Sequence, residues 1–399
     1  MKNLLLTSAI TLGMTGAAFA NDSQIDQIGL GNDATVTQSG GTGSGSVVLQ
    51  TGDNDIATVV QSDTGGSDTN SSTIQQLGGS GTQTATVTQS YNGSGLENTA
   101  LIVQDSTQGG NVAAVTQDGD DNFADARQGP GAAVNCFDPF GCSGTTPAAI
   151  TNSDTNIVQS GTNNSATTTQ IVGSNGGDNN RAAIDQNGLS NNASILQGTG
   201  AVANTWFIPN PASTDNDNLA DILQDGDGNA SIIAQGGESG VAFSSQFGND
   251  NSSDIVQSGG IPGLGNATTV VQDGDRNTST VTQSSTNGDL PVVPSGTVAN
   301  VQQTGNDNES HVTQKPLGGH FASVMQMGDD HFSLIEQDGL LNIAKVTQEL
   351  HDQSSEVHQT GPSIVGPLGN TAIVNQTITA GNTSYVSQQG IGNQSTVLQ

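Results

Sequence analysis

The sequence predicts an all-β solenoid of stacked strand–turn–strand rungs, with two strands per rung and about 14 rungs. Three observations predict it. A seven-residue phrase, Asn-x-Ala/Ser-x-Val/Ile-x-Gln, recurs 28 times between residues 21 and 399. Within the phrase, small, β-branched and amide side chains occupy alternate positions, and polar residues, often Thr or Ser, fill the places between them. That period of two is the mark of a strand with one buried face. All 11 prolines fall between phrases, as expected if the phrases form interior ladders to which proline cannot donate.

In chain order, Met1–Ala20 carries one lysine, an apolar stretch and an Ala18-Phe19-Ala20 ending, and reads as a cleaved secretory signal. No other segment approaches the length of a membrane-spanning helix. Residues 21–399 form one repeat domain. Intact copies place Asn32, Ala34, Val36 and Gln38 on one face, and likewise Asn111, Val115 and Gln117, or Asn191, Ala193, Ile195 and Gln197. The same holds for Asn277, Val281 and Gln283, for Asn342, Val346 and Gln348, and for Asn393, Val397 and Gln399. The third position is Ala in 15 copies, Ser in 11 and Thr in two, and the fifth is Val or Ile in 25. Such a face suits a narrow interior between two closely apposed sheets.

Seven strand residues span about 23 Å, and a four-residue turn can reverse the chain. Two phrases then make a rung, and rungs stacked at about 4.8 Å give a rod on the order of 67 Å long. Buried amides need partners. Stacked in register, each Asn or Gln is expected to bond its identical neighbours above and below in an amide ladder.

The phrase, with Gln-x-Gly-x-x-Asn-x-Ala at its centre, resembles the curlin repeat of bacterial curli subunits over essentially all of residues 21–399. The resemblance implies a secreted β-solenoid that polymerises end to end into functional amyloid on the cell surface and supports adhesion and biofilm. It implies as partners further copies of the chain, other curlin-like subunits and an outer-membrane secretion channel. In this chain the first phrase, Asn21–Gln27, follows the signal directly, whereas curlins usually carry a separate export segment there. The last phrase ends at Gln399 with no cap after it, which is expected to favour growth at that end.

Composition narrows the function further. A net charge of −31 repels phosphates, so nucleic acid and anionic membranes are not expected partners. Of 37 acidic residues, 25 lie outside the phrases, so turns recurring every rung are expected to bring like charges together. No Gly-x-Ser-x-Gly elbow or other catalytic constellation emerges, and the five Lys and Arg after residue 20 are scattered. No enzyme, cofactor or metal is expected. The alternative function is a monomeric secreted solenoid acting as an adhesin or ice-binding protein. Outward threonines such as those of Thr278–Thr282 hint at it, although they do not recur on successive rungs.

The insertions raise separate questions. The largest are 129–152 and 198–217, and the insertions follow even-numbered phrases early in the chain and odd-numbered ones later. Either the long loops change edge near residues 111–153, or a cryptic strand, with Ala132–Asp138 as candidate, restores parity. Cys136 and Cys142 lie in the same insertion, and a disulfide between them is the default after secretion. An inward Cys136 on a cryptic strand would compete with that bridge. The Trp206-Phe-Ile-Pro segment is either a flap over a solenoid edge or a contact for a partner.

The turns Asp118-Gly-Asp-Asp-Asn122, Asp225-Gly-Asp-Gly-Asn229 and Asp273-Gly-Asp-Arg-Asn277 resemble calcium loops superficially but lack the ligand number and spacing. They read as turns. His320 and His331 take the first, inward position of consecutive strands and read as polar substitutes for Asn in the ladder.

Overall fold

The computed structural model describes residues 21–40, 43–63, 70–78, 81–91, 97–105, 109–130, 150–172, 177–198, 217–237, 239–259, 265–284, 296–315, 319–361 and 369–399. They build two 14-stranded parallel sheets. The first sheet runs from Asp22–Gln27 to Thr383–Gln389 and takes every odd-numbered phrase. The second runs from Asp33–Ser39 to Gln394–Leu398 and takes every even-numbered one. The chain therefore crosses between the sheets at each turn, and each strand pairs with the next but one in sequence. Equivalent phrase positions align, as in Val59 with Val87 and Gln61 with Gln89.

The alternation becomes burial. In Thr278–Ser284 the first, third, fifth and seventh phrase positions, Asn277, Ser279, Val281 and Gln283, are buried between half-exposed neighbours. The apolar core is a double column of Ala and Val or Ile, with Val59, Ile102, Ile233 and Ile335 inaccessible to solvent. No Phe, Tyr or Trp is in it, so stability rests on many thin, repeated layers. The outer rungs depart from this pattern. The strand Asp22–Gln27 is exposed throughout, and Ala34, Val36 and Val397 are only partly buried because no described residue covers their outer side.

The two sheets are not equivalent. The third phrase position is Ser in ten of 14 strands of the first sheet but Ala in 11 of 14 in the second. Several of these serine hydroxyls, including those of Ser253, Ser279, Ser310 and Ser333, are buried without a hydrogen-bond partner. Ser72, which accepts from the Nε2 of Gln61 at 3.4 Å, and Ser231 are exceptions. For Ser231 the partner is another serine. The Ser231 hydroxyl meets that of Ser244 at 2.8 Å, because Ser244 stands across the core where other strands carry Val or Ile.

The insertions change edge. Val112–Asp120 pairs directly with Asp154–Thr162, and Phe123–Pro130 with Ser165–Val172, so neither sheet has a place for another rung strand between them. From 118–121 to 349–352 every turn from the second sheet to the first is four residues long, and the long insertions leave from the opposite edge. A short pairing of Ile150–Thr151 with Gly177–Asp178 lies outside both sheets. The candidate strand Ala132–Asp138, both cysteines and Trp206 lie outside the described residues.

Candidate functional site

The glutamine at the seventh position forms an unbroken ladder in each sheet. In the second sheet the Nε2 of Gln224 donates to the Oε1 of Gln246 at 2.8 Å, and Gln246 donates in turn to Gln272 at 2.9 Å. Every amide but that of Gln27 gives its other N–H to a backbone carbonyl across the core, as Gln246 does to Ala230 at 2.9 Å. Both donors are thus satisfied in a buried site. The ladder has a direction: every glutamine donates toward the C-terminal end, from Gln27 to Gln50 at one end and from Gln359 to Gln388 at the other. The predicted members Gln38, Gln117, Gln197, Gln283, Gln348 and Gln399 all take part.

Asparagine at the first position works differently from the predicted amide ladder. Its Oδ1 accepts the backbone N–H of the first residue one rung on, as Asn191 does from Asn229 at 2.9 Å. Its Nδ2 donates to a turn carbonyl, Asn191 to Gly226 at 2.7 Å. Direct amide-to-amide bonds between stacked asparagines occur at Asn277 to Asn251 and Asn308 to Asn277. At most rungs Asn caps the turn, where the longer Gln reaches its twin. Asn32, Asn111, Asn342 and Asn393 hold the same place, the first three each accepting the N–H of the next rung.

Some substitutes at this position keep the acceptor, whereas the side-chain oxygens of Gln83, Ser153 and Gln353 are buried without a partner. His320 Nδ1 accepts the N–H of Asn342, and His331 Nδ1 that of Gln353, each at 3.3 Å. Burial holds the His320 imidazole down to about 4 and lowers that of His331 as well. Asp55 accepts the N–H of Gln83 through Oδ1, and burial raises its carboxyl above the usual range.

The short turns stack into a second ladder. Their second residue is glycine at 226, 248, 274, 305 and 328, with φ between 100° and 132°. A Cβ on Gly248 would sit 2.2 Å from the carbonyl oxygen of Gly274, so the close stacking admits no side chain there. The fourth residue is left-handed, as at Asp250, Arg276 and Asp307, and Arg276 bonds Asp307 at 2.6 Å. At the third position acids and amides alternate: Asp227, Asn249, Asp275, Asn306, Asp329. Each accepts, through Oδ1, the backbone N–H of the rung before it at 2.8–3.1 Å. In this column a neutral amide separates each carboxylate from the next, whereas the fourth turn position stacks Asp307, Asp330 and Asp352, like charges brought together as expected. The acids of two of the calcium-like turns, Asp227 and Asp275, serve as acceptors that hold neighbouring backbone.

Asn306→Asp would put three carboxylates in a row and replace the 3.1 Å bond from Asn306 to Asp329 with repulsion. The expected loss is about 1 kcal/mol at low salt, fading as ionic strength rises. Urea unfolding at two salt concentrations checks it, and a salt-independent loss would assign the effect to something other than charge.

The family profile described as the curlin-associated repeat matches residues 216–259, which hold four strands from Leu219–Asp225 to Ser252–Ser258. No curated protein matches the chain. The matched stretch contains two full rungs whose Asn, Gln and turn ladders continue in register on both sides. Residues 216–259 are thus similar to the curlin-associated repeat, and the same phrase and register run on through the rungs to either side.

Proposed function

We propose that the chain is a secreted structural subunit that adds end to end to copies of itself, forming curli-like amyloid fibres that support adhesion and biofilm on the cell surface. The observation that carries this reading is the polarity of the ladders. Among the described residues, nothing donates to the Oε1 of Gln27 or Gln38, while Gln388 and Gln399 each retain one amide N–H that interior glutamines give to the next rung. The backbone N–H of Asn32 likewise lacks the acceptor that Asn393 Oδ1 would offer. The two ends therefore match head to tail, and head-to-head contact would set acceptor against acceptor. An edge with this complementarity is a template for another chain.

The test is incubation of the purified chain with thioflavin T, followed by electron microscopy and fibre diffraction. Fibres with a meridional spacing of about 4.7–4.8 Å are expected. A persistent folded β-rich monomer would overturn the proposal and favour the adhesin or ice-binding alternative.

A further inference from the structure

The outward faces of the two sheets differ in charge. Between residues 230 and 358 the first sheet presents Asp254, Glu309, Glu336 and Glu356. Over the corresponding strands, Leu219–Asp225 to Ile343–His351, the second sheet's outward phrase positions are mostly apolar or neutral, with Asp221 and Lys345 the only charges. Leu219, Val241, Val298, Phe321 and Ile343 line one column of this face. In a chain of net charge −31, a broad neutral apolar face calls for a partner.

We infer that this face pairs with the same face of a second copy, the two rods running antiparallel about a twofold axis between Thr269 and Asn300. The central outward column carries the register. It reads Asn156, Ala183, Asp221, Phe243, Thr269, Asn300, Ser323, Lys345, Ile373, Thr396 in stacking order. Folding that order about its midpoint sets Asp221 against Lys345, Phe243 against Ser323 and Ala183 against Ile373. Opposite charges meet, and each bulky side chain meets a small one.

Two further observations agree with this register. A shallow hollow of about 400 Å3 lies over Ala183, walled by Asn156, Asp221 and Phe243, where Ile373 of the second copy would enter. The ammonium of Lys345 has no carboxylate partner among the described residues and lies 5.6 Å from the centre of the Phe321 ring. The three arginines are each paired. Within the phrases no like charges meet, since Asp154, Arg181 and Asp185 face Gln394, Thr371 and Asn375; the one like-charge pair, Asp225 with Glu349, stands at the strand ends. Parallel rods would instead set Asp221 on Asp221 and Lys345 on Lys345. Ten strands at about 4.8 Å, each of seven residues rising about 3.3 Å, outline on the order of 900 Å2 per copy, the size of a standard specific interface.

Pairing of these faces does not depend on end-to-end growth, so it is measured on soluble chain before fibres form, by sedimentation velocity. Lys345→Glu and Asp221→Lys are expected each to weaken pairing by at least about tenfold, and the double reversal to restore it. Both positions face outward, and circular dichroism checks that the β-structure is kept. Equal pairing in wild type and both single variants, or no recovery in the double, would overturn the antiparallel register. A wild-type chain that stays monomeric at all concentrations would overturn the pairing itself, whatever the outcome for fibres.

Discussion

Gln246→Ala is expected to destabilise the solenoid by about 3–5 kcal/mol, far more than the loss of one exposed hydrogen bond. Three partners depend on this side chain: the Nε2 of Gln224, the Oε1 of Gln272 and the carbonyl of Ala230. All three lie in a core that excludes water, and Gln246 itself is inaccessible to solvent. The substitution strands them and leaves a cavity. The same change at Gln27 removes its bond to Gln50 from a strand that is already exposed, and is expected to lower stability by less than about 1 kcal/mol. Chemical unfolding of the two variants side by side measures the contrast. Equal, small losses would mean that the interior ladder contributes little. Because repeat stability is close to a sum over neighbouring rungs, Gln246→Ala should also weaken the middle of the rod first, seen as fast amide exchange around 224–272.

Acid is expected to weaken the rungs that hold the buried histidines. The unfolded His320 imidazole takes up a proton near its ordinary value of 6.5, whereas the folded one resists until about 4. The unfolded chain therefore binds more protons across that window, and stability falls as pH drops from about 6.5 toward 4. The full loss from this one group is about 3 kcal/mol. Burial is the main cause, and protonation would also destroy the Nδ1 acceptor for Asn342. His331 is shifted in the same direction for the same reason. The double variant His320→Asn/His331→Asn restores the amide found in most rungs and should flatten the stability profile between pH 7 and 5. A profile unchanged by that variant would place the acid sensitivity elsewhere.

Some of the site was readable from side-chain chemistry alone, and some was not. The glutamine ladder was legible because Gln occupies the last inward position of every phrase and has the reach to bond its twin. The asparagine role was misjudged because its partner is backbone of the next rung, which a side-chain pattern does not display. The Ser and Ala columns were visible in the alternation of odd and even copies, as at Ser253 and Ala242. Pooled over the whole chain they read as one class of small residue. The alternating Asp and Asn of the turn column became visible only when the long insertions were set aside and successive short turns were laid on one another.

The sequence by itself determined the strands, their inward faces and the number of rungs, because a period of two with regular turns leaves one way to bury the small and β-branched positions. Tertiary structure decided what the phrases do to each other. Parallel stacking of alternate copies sorted Ser from Ala, put Asn306 between two carboxylates, gave the glutamine chains one direction and left Asp221 and Lys345 on the same outward column. Those are relations between residues more than 20 positions apart in sequence, and only the rung spacing brings them together.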